Sequence, residues 1–503
     1  MFASVPASIV VGVDGRPIVV EVHVATGIPG LSIVGLPDAA CREARDRVRA
    51  AVMAAGVTWP NKRITINLAP SDFRKPGSVL DLAMAVGVLV ADGRIDAAAV
   101  EGMAFLGELG LDGTLRPVAG MVPLVDAVRA PVVVVPASRV DEAELVDGPE
   151  VRGVSTLSEL VRALKGEEPW PAVAAQQRAP APPPIPDLAD VRGQPVVRRA
   201  LEVAAAGGHH LLMVGPPGAG KTMLASRLPG LLPELDRSEA MEVTRIQSAS
   251  GERLEYGLVR RPPFRAPHHA STMVSLVGGG SDVLRPGELS RAHAGVLFLD
   301  ELAEFPPAVL DALRQPLESG RVRVSRARFH ADLPARVLLV AAMNPCPCGE
   351  AGRPGRCRCS QAGLARYRRR LSGPILDRFD LRVEVSRPDI GDLLGTERGE
   401  SSTVVAERVQ RARSLAAGRG VRTNSELDGA RLDETAPLED DARELLAVAL
   451  RSGRLSARGL TRVRRVARTL ADLADHEGPL GVRHVATALH LRADLSVVTG
   501  VAA

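Results

Sequence analysis

Residues 215–222 read Gly215-Pro216-Pro217-Gly218-Ala219-Gly220-Lys221-Thr222, a full match to G-x-x-x-x-G-K-[ST]. This pattern is a P-loop. Its backbone N–H groups cradle the phosphates of ATP, the lysine reaches the β- and γ-phosphates, and the threonine hydroxyl binds Mg²⁺. Downstream, the apolar run Val296-Leu-Phe-Leu ends in Asp300 and Glu301. Asp300 is placed to hold Mg²⁺ and Glu301 to polarise the attacking water. A second apolar run, from Val337 to Met343, ends in Asn344. An asparagine there can hold the lytic water or the γ-phosphate; starting a turn before Pro345 is the alternative. Arg378, in Ser372-Gly-Pro-Ile-Leu-Asp-Arg-Phe-Asp380, is the candidate for an arginine offered to the γ-phosphate of a neighbouring subunit. A local pair with Asp377 or Asp380 is the competing role. Arg458 opens a long helical pattern and is a candidate sensor of the same phosphate. It completes an ATP-binding set with residues 215–222.

Those groups need elements that bring them together. The apolar run from His210 to Val214 reads as a buried strand feeding the P-loop, and Met223–Leu228 as the helix leaving it. Strands alternate with helices through about residue 390, as a parallel nucleotide-binding sheet requires. Beyond residue 396 the apolar spacing is helical only, over Ser402–Gly418, Pro437–Ser452, Ser456–His476 and Gly481–Arg492. Before residue 165, strand patterns (Ser8–Val13, Arg63–Leu68) accompany helical ones (Ala39–Ala55, Asp81–Asp92). The proline-rich stretch from Pro169 to Pro186 reads as an extended linker. The expected organisation is therefore an α/β domain over 1–165, a linker over 166–186, an α/β P-loop core over 187–395 and a helical lid over 396–503.

The chain has 503 residues, too many for one core. It is 46% hydrophobic and 24% charged, and it contains no apolar run near the roughly 18–20 residues of a membrane span. No basic region precedes the first apolar stretch, so a signal peptide is not expected. The expected compartment is the cytosol, with no membrane partner. The basic residues are nearly all arginine: lysine occurs only at 62, 75, 165 and 221. Retention of lysine at 221 fits a position where a compact ammonium, not a planar fork, meets phosphate. With 2% aromatic residues, any nucleic-acid binding must rest on basic contacts to phosphate more than on base stacking.

Four of the five cysteines form Cys346-x-Cys348-x₈-Cys357-x-Cys359. Four thiols this close suit a tetrahedral Zn²⁺. Reduced free thiols are the alternative, and disulfides the less fitting one in a reducing compartment. Cys41, alone in a helical pattern, reads as core.

P-loop, Asp-Glu strand, asparagine strand, arginine element and helical lid, in this order, resemble AAA+ ATPases. Pro263-Phe-Arg-Ala-Pro-His-His269, Gly278-Gly-Gly280, Pro286-Gly-Glu-Leu-Ser290, Ala294–Phe305 and Asn344-Pro-Cys-Pro-Cys-Gly349 resemble the YifB/ComM family, the magnesium-chelatase-like branch. The resemblance spans essentially the whole chain. It implies a homo-hexameric ring with ATP between subunits, with Arg378 acting in trans. It also implies ATP-driven unwinding and branch migration of single-stranded or branched DNA. A hairpin over Arg321–Arg328, turning near Ser325, would face the ring's pore, which makes Arg321, Arg323, Arg326 and Arg328 candidate DNA contacts. Val274–Leu284 would be a second pore loop. His268 and His269 are read as shaping this insert, not as metal ligands. Residues 1–165 resemble the Lon-protease-like domain. Alignment by motif puts Val79 at the nucleophile position and Val122 at the lysine position, so no peptidase is expected. Two other functions compete with a DNA motor. A chelatase motor subunit fits neither the Lon-like domain nor the cysteine cluster. A protein-remodelling ring would ordinarily carry an aromatic residue in its pore loop, and Met273–Val283 has none.

Overall fold

The computed structural model describes residues 1–493 except 76, 173–179, 281–283, 327–328, 352–355, 371–372 and 397, and it leaves out the side chains of 325, 326, 329, 330, 368 and 373. The fold is α/β with a helical C-terminal region, as the sequence pattern predicts.

The N-terminal part is built on a four-stranded sheet ordered Phe2–Val11, Asp14–Ala25, Arg63–Ala69, Gly30–Val34. Only the last pair is parallel. The two long opening strands replace the single short strand expected over Ser8–Val13. Their register runs unbroken from Phe2↔His23 to Val11↔Asp14, so alternate residues such as Val5, Ile9, Ile18, Val20 and Val22 all enter the core. The helix Asp81–Ala91 is buried along its whole length. Val79 and Val122 lie in this apolar core, Val122 fully buried. The Ser78 hydroxyl donates to the Glu108 carboxylate, and Lys75 Nζ donates to the carbonyls of Pro70 and Phe73.

The second part is a five-stranded, all-parallel sheet ordered Phe264–Arg265, Val296–Leu299, Leu338–Met343, Leu211–Val214, Leu381–Glu384. Both faces are covered, so its three central strands are apolar without alternation. Leu211, Met213, Val296, Phe298, Val340 and Ala342 face one core. Leu212, Val214, Leu297, Leu299, Leu339 and Ala341 face the other. The first core includes the helix Pro195–Gly207, which starts on a proline and stops at left-handed Gly208.

The C-terminal helices Ser402–Gly418, Asp440–Arg451, Ala457–Asp472 and Val482–His490 complete that same core. A further helix, Gly429–Thr435, was not legible in the sequence. It buries only Leu432 and begins at the cap Asp428. The Ala457–Asp472 helix is fixed by a buried polar knot. The Asp472 carboxylate accepts from Arg419 (2.5 Å), Asn424 (2.7 Å) and Arg468 (3.1 Å).

The two parts dock directly. Ser248, near the end of the helix Arg237–Ala249, accepts from the Gly120 N–H (2.9 Å) and the Val122 N–H (3.2 Å), and Arg245 pairs with Asp126 at 2.7 Å. Val13, at the turn between the first two strands, enters the core that holds Leu284 and Leu333. Among the described residues, no helix is long and apolar enough to cross a membrane.

Candidate active site

The P-loop joins the end of the strand Leu211–Val214 to the short helix Lys221–Ala225. Gly218 (φ +75°) and Gly220 (φ +85°) hold the left-handed backbone that lets the turn wrap inward. Because the neighbouring strand Leu338–Met343 runs parallel, with Val214 opposite Met343, its end delivers Asn344 to the same edge. One strand further, Leu299 delivers Asp300 and Glu301.

These groups meet around one cavity of about 390 Å³, lined by Lys221, Thr222, Asp300, Glu301 and Asn344 with residues 217–220. Lys221 Nζ donates to the carbonyls of Gly215 (2.7 Å) and Pro216 (3.0 Å) and to Asn344 Oδ1 (3.1 Å). Burial pulls the Lys221 ammonium below its ordinary range, against the opposing charges of Asp300 and Glu301. Thr222 Oγ1 donates to Asp300 Oδ2 at 2.6 Å. A hydroxyl and a carboxylate are oxygen donors of the kind Mg²⁺ favours, and Thr222 and Asp300 would hold the ion. The site thus fits ATP and Mg²⁺: a cation, hydroxyl and carboxylate donors for the metal, and backbone N–H groups for phosphate.

Glu301 has a left-handed backbone, φ +52°, uncommon for a residue with a side chain. Its carboxylate is half exposed at the mouth of the cavity and meets His269 Nδ1 at 2.9 Å. His269 was expected only to shape the insert. The contact was not readable from the sequence, since 31 residues of chain separate the two partners.

Arg378 is not part of this cavity. It precedes the strand Leu381–Glu384, whose first residue lies beside Leu211, the first residue of the P-loop strand. The P-loop leaves the other end, so roughly 13 Å of strand separates the two edges. There Arg378 pairs with Glu318 (2.5 Å), not with Asp377 or Asp380, and lines a cleft of about 910 Å³ with Arg336 and Arg462. Arg458 is exposed in the first turn of the helix Ala457–Asp472, one turn ahead of Arg462, and Arg462 donates to the Arg378 carbonyl at 3.1 Å. Arg458 therefore stands near Arg378, away from its own P-loop.

The arginine-rich segment forms a hairpin of Arg321–Arg326 with Phe329–Pro334. No turn falls at Ser325, where one was expected: Ser325 pairs with His330 and Arg326 with Phe329, so both are strand residues. Val322 and Val324 are buried, while Arg321 is exposed and Arg323, 70% exposed, pairs with Asp332 at 3.6 Å. Arg328 and the side chain of Arg326 lie outside the described residues. Cys346, Cys348, Cys357 and Cys359 converge, with all four sulfurs within 4.8 Å of one another. Cys41 is fully buried in the N-terminal core.

A parallel sheet with this strand order, a P-loop, an acidic pair and an asparagine on neighbouring strand ends, and a helical C-terminal bundle define a P-loop protein of the AAA+ class. The model for magnesium chelatase, subunit ChlI, matches residues 187–393, its C-terminal counterpart matches 399–492, and a further model for subunit ChlI of Mg-chelatase matches 20–138. Competence protein ComM of Haemophilus influenzae is 43% identical over 490 residues, covering 96% of each chain. YifB of Escherichia coli is 43% identical over 493 residues, covering 96% of this chain and 95% of its own. An uncharacterized protein of Mycobacterium tuberculosis is 49% identical, covering 96% of each. The chain belongs to the YifB/ComM family.

Proposed function

We propose that this protein is an ATP-hydrolysing ring motor that acts on DNA, a helicase that promotes branch migration in homologous recombination or natural transformation. The observation that carries the reading is the division of the catalytic set between two edges of one sheet. Lys221, Thr222, Asp300, Glu301 and Asn344 gather at one edge, and Arg378 stands at the other. A single chain therefore binds ATP without its own arginine. A second copy, docked edge to edge, supplies Arg378 and Arg458 to the γ-phosphate, and repetition of that contact closes a ring. Glu301 polarises the lytic water that Asn344 holds. Thr222 and Asp300 would hold Mg²⁺, which would supply neutralising charge at the transferred phosphoryl group, and Cys346, Cys348, Cys357 and Cys359 would hold Zn²⁺ as a structural ion.

The hairpin supports DNA as the substrate. Val322 and Val324 are anchored in the core and Arg321 and Arg323 are left to solvent, the pattern expected of a basic ridge that tracks phosphate. Val13 of the N-terminal part packs in the same core as Leu333 of the hairpin, which joins that part to the hairpin. The relative from Haemophilus influenzae bears the name competence protein, which agrees with a task in DNA uptake and recombination. A second reading, protein remodelling, draws on one observation: Met273 and Val274 are each 50% exposed beside the glycine-rich insert.

The deciding experiment is displacement of a labelled strand from forked and four-way DNA, with Glu301→Gln as control. ATP-dependent displacement by the wild type alone supports the motor, together with DNA affinity that falls steeply with salt. ATP turnover with no strand movement on either substrate, and a flat salt response, replaces it with protein remodelling.

A further inference from the structure

The four cysteines are attached to the ATP site at two points. Cys346, fully buried, lies two residues past Asn344, whose side chain holds Lys221. Its carbonyl accepts from the Gly349 N–H at 2.9 Å and its sulfur from the Ala351 N–H at 3.2 Å, so the chain turns back sharply. That turn rests on the P-loop itself. Gly349 is left-handed (φ +79°), and a Cβ built there would lie 2.3 Å from Pro217 Cδ. A third support, the Tyr367 hydroxyl, donates to the Asn344 carbonyl at 3.0 Å. The thiol cluster thus lies behind Pro217 and Asn344, two residues that line the nucleotide cavity.

The sulfur geometry selects the ligand. Cys346 and Cys348 sulfurs are 3.4 Å apart, Cys346 and Cys357 3.9 Å, and Cys348 and Cys357 3.7 Å. A tetrahedral ion about 2.3 Å from each thiolate sets its ligands about 3.8 Å apart. A cluster of several irons would spread them further. All four cysteines are free of disulfides. Cys346 and Cys348 bracket one end of the loop, and Cys357 and Cys359 the other. Four sulfurs brought this close as thiolates would repel one another without a cation between them.

We infer that one Zn²⁺ held by Cys346, Cys348, Cys357 and Cys359 sets the affinity for nucleotide by holding Gly349 against Pro217 and Asn344 against Lys221. The inference rests on the ATP-site reading given above. Occupied, the site keeps the P-loop rim and the asparagine in register for phosphate. Emptied, Gly349 is no longer held against Pro217, nor Asn344 against Lys221. The chain then carries a metal-dependent control on its first step, ATP binding, ahead of any hydrolysis.

The test uses the full-length protein. Zinc content is measured by atomic emission, and affinity with a fluorescent ATP analogue, on four samples. These are the protein as purified, the protein stripped by a mercurial with chelator and then refilled, the double variant Cys348→Ser/Cys357→Ser, and Gly349→Ala. Circular dichroism verifies that the helical content is kept. Expected are about one Zn²⁺ per chain, a loss of nucleotide affinity of about tenfold or more on stripping, recovery on refilling, and no recovery for the double variant. Gly349→Ala keeps its zinc and still binds nucleotide more weakly, because its Cβ displaces Pro217. Absence of zinc even after growth and purification with added Zn²⁺ overturns the metal site. Zinc that can be removed with no change in nucleotide affinity overturns the coupling and leaves the ATP site standing. Failure of the zinc-loaded wild type to bind nucleotide overturns the ATP-site reading itself.

Discussion

His269 Nδ1 lies 2.9 Å from Glu301 Oε2. The carboxylate proposed to activate water is thereby held by a residue of the insert that leads to the glycine-rich loop. His269 is a third exposed and Glu301 half exposed, so the contact is worth about 1 kcal/mol at most. Removal of the tether should free Glu301. His269→Ala is expected to raise DNA-free ATP turnover by up to about fivefold with unchanged KM. Steady-state kinetics checks this; a fall in kcat would instead make His269 an orienting partner of Glu301 during the reaction.

The roles of Lys221 and Glu301 separate binding from chemistry. Lys221 bridges the P-loop carbonyls and Asn344, whereas Glu301 touches neither. Lys221→Ala should abolish binding of a fluorescent ATP analogue. Glu301→Gln should bind it as the wild type does and lose turnover by about 10²-fold or more. Rapid hydrolysis by Glu301→Gln would remove Glu301 from its role.

Arg378 should act only on a neighbour's nucleotide, because a strand's length of sheet separates it from its own P-loop. Arg378→Ala is expected to bind ATP normally and to lose kcat by about 10³-fold or more. Mixed with Glu301→Gln, it should regain measurable turnover at interfaces that pair an intact Glu301 with an intact Arg378. Glu318→Ala, which removes the local partner of Arg378, should keep most of the activity.

Acid should destabilise the P-loop sheet through His210. Burial lowers this imidazole from its ordinary 6.5 to about 4, and its Nδ1 accepts the Leu339 N–H at 3.1 Å. Between those two values the unfolded chain binds the extra proton, so stability rises with pH. The contribution of neutral His210 is complete above about 6.5 and is lost as pH falls towards 4, on the order of 3 kcal/mol. Nearby Asp380 is held below the usual carboxylate range by His209 and Arg462 despite its burial, and its contribution is lost at lower pH still. Thermal melting from pH 7 to 4 should show the loss. His210→Asn, which keeps an acceptor for Leu339, should flatten the curve in that window.

The sequence by itself determined the parts of the site that follow from local chain order. Residues 215–222 spell a phosphate cradle, and apolar runs ending in Asp300-Glu301 and in Asn344 read as buried strands with polar tips. The parallel sheet then brings those tips to one edge, since parallel strands place all their C-terminal ends together. The two long opening strands were partly hidden, because proline, glycine and charged residues interrupt their alternation (Pro6, Gly15, Arg16, Pro17). The strand reaches past Ser325, where a turn was expected, because a run of alternating arginines carries no turn signal of its own. Only the tertiary structure decided the long-range geometry: which edge carries Arg378, that the helix of Arg458 reaches it through Arg462, that His269 reaches Glu301, and that Gly349 packs on Pro217. Each of these depends on the path of chain between distant residues, and that path is set by core packing, which leaves no mark at the residues it brings together.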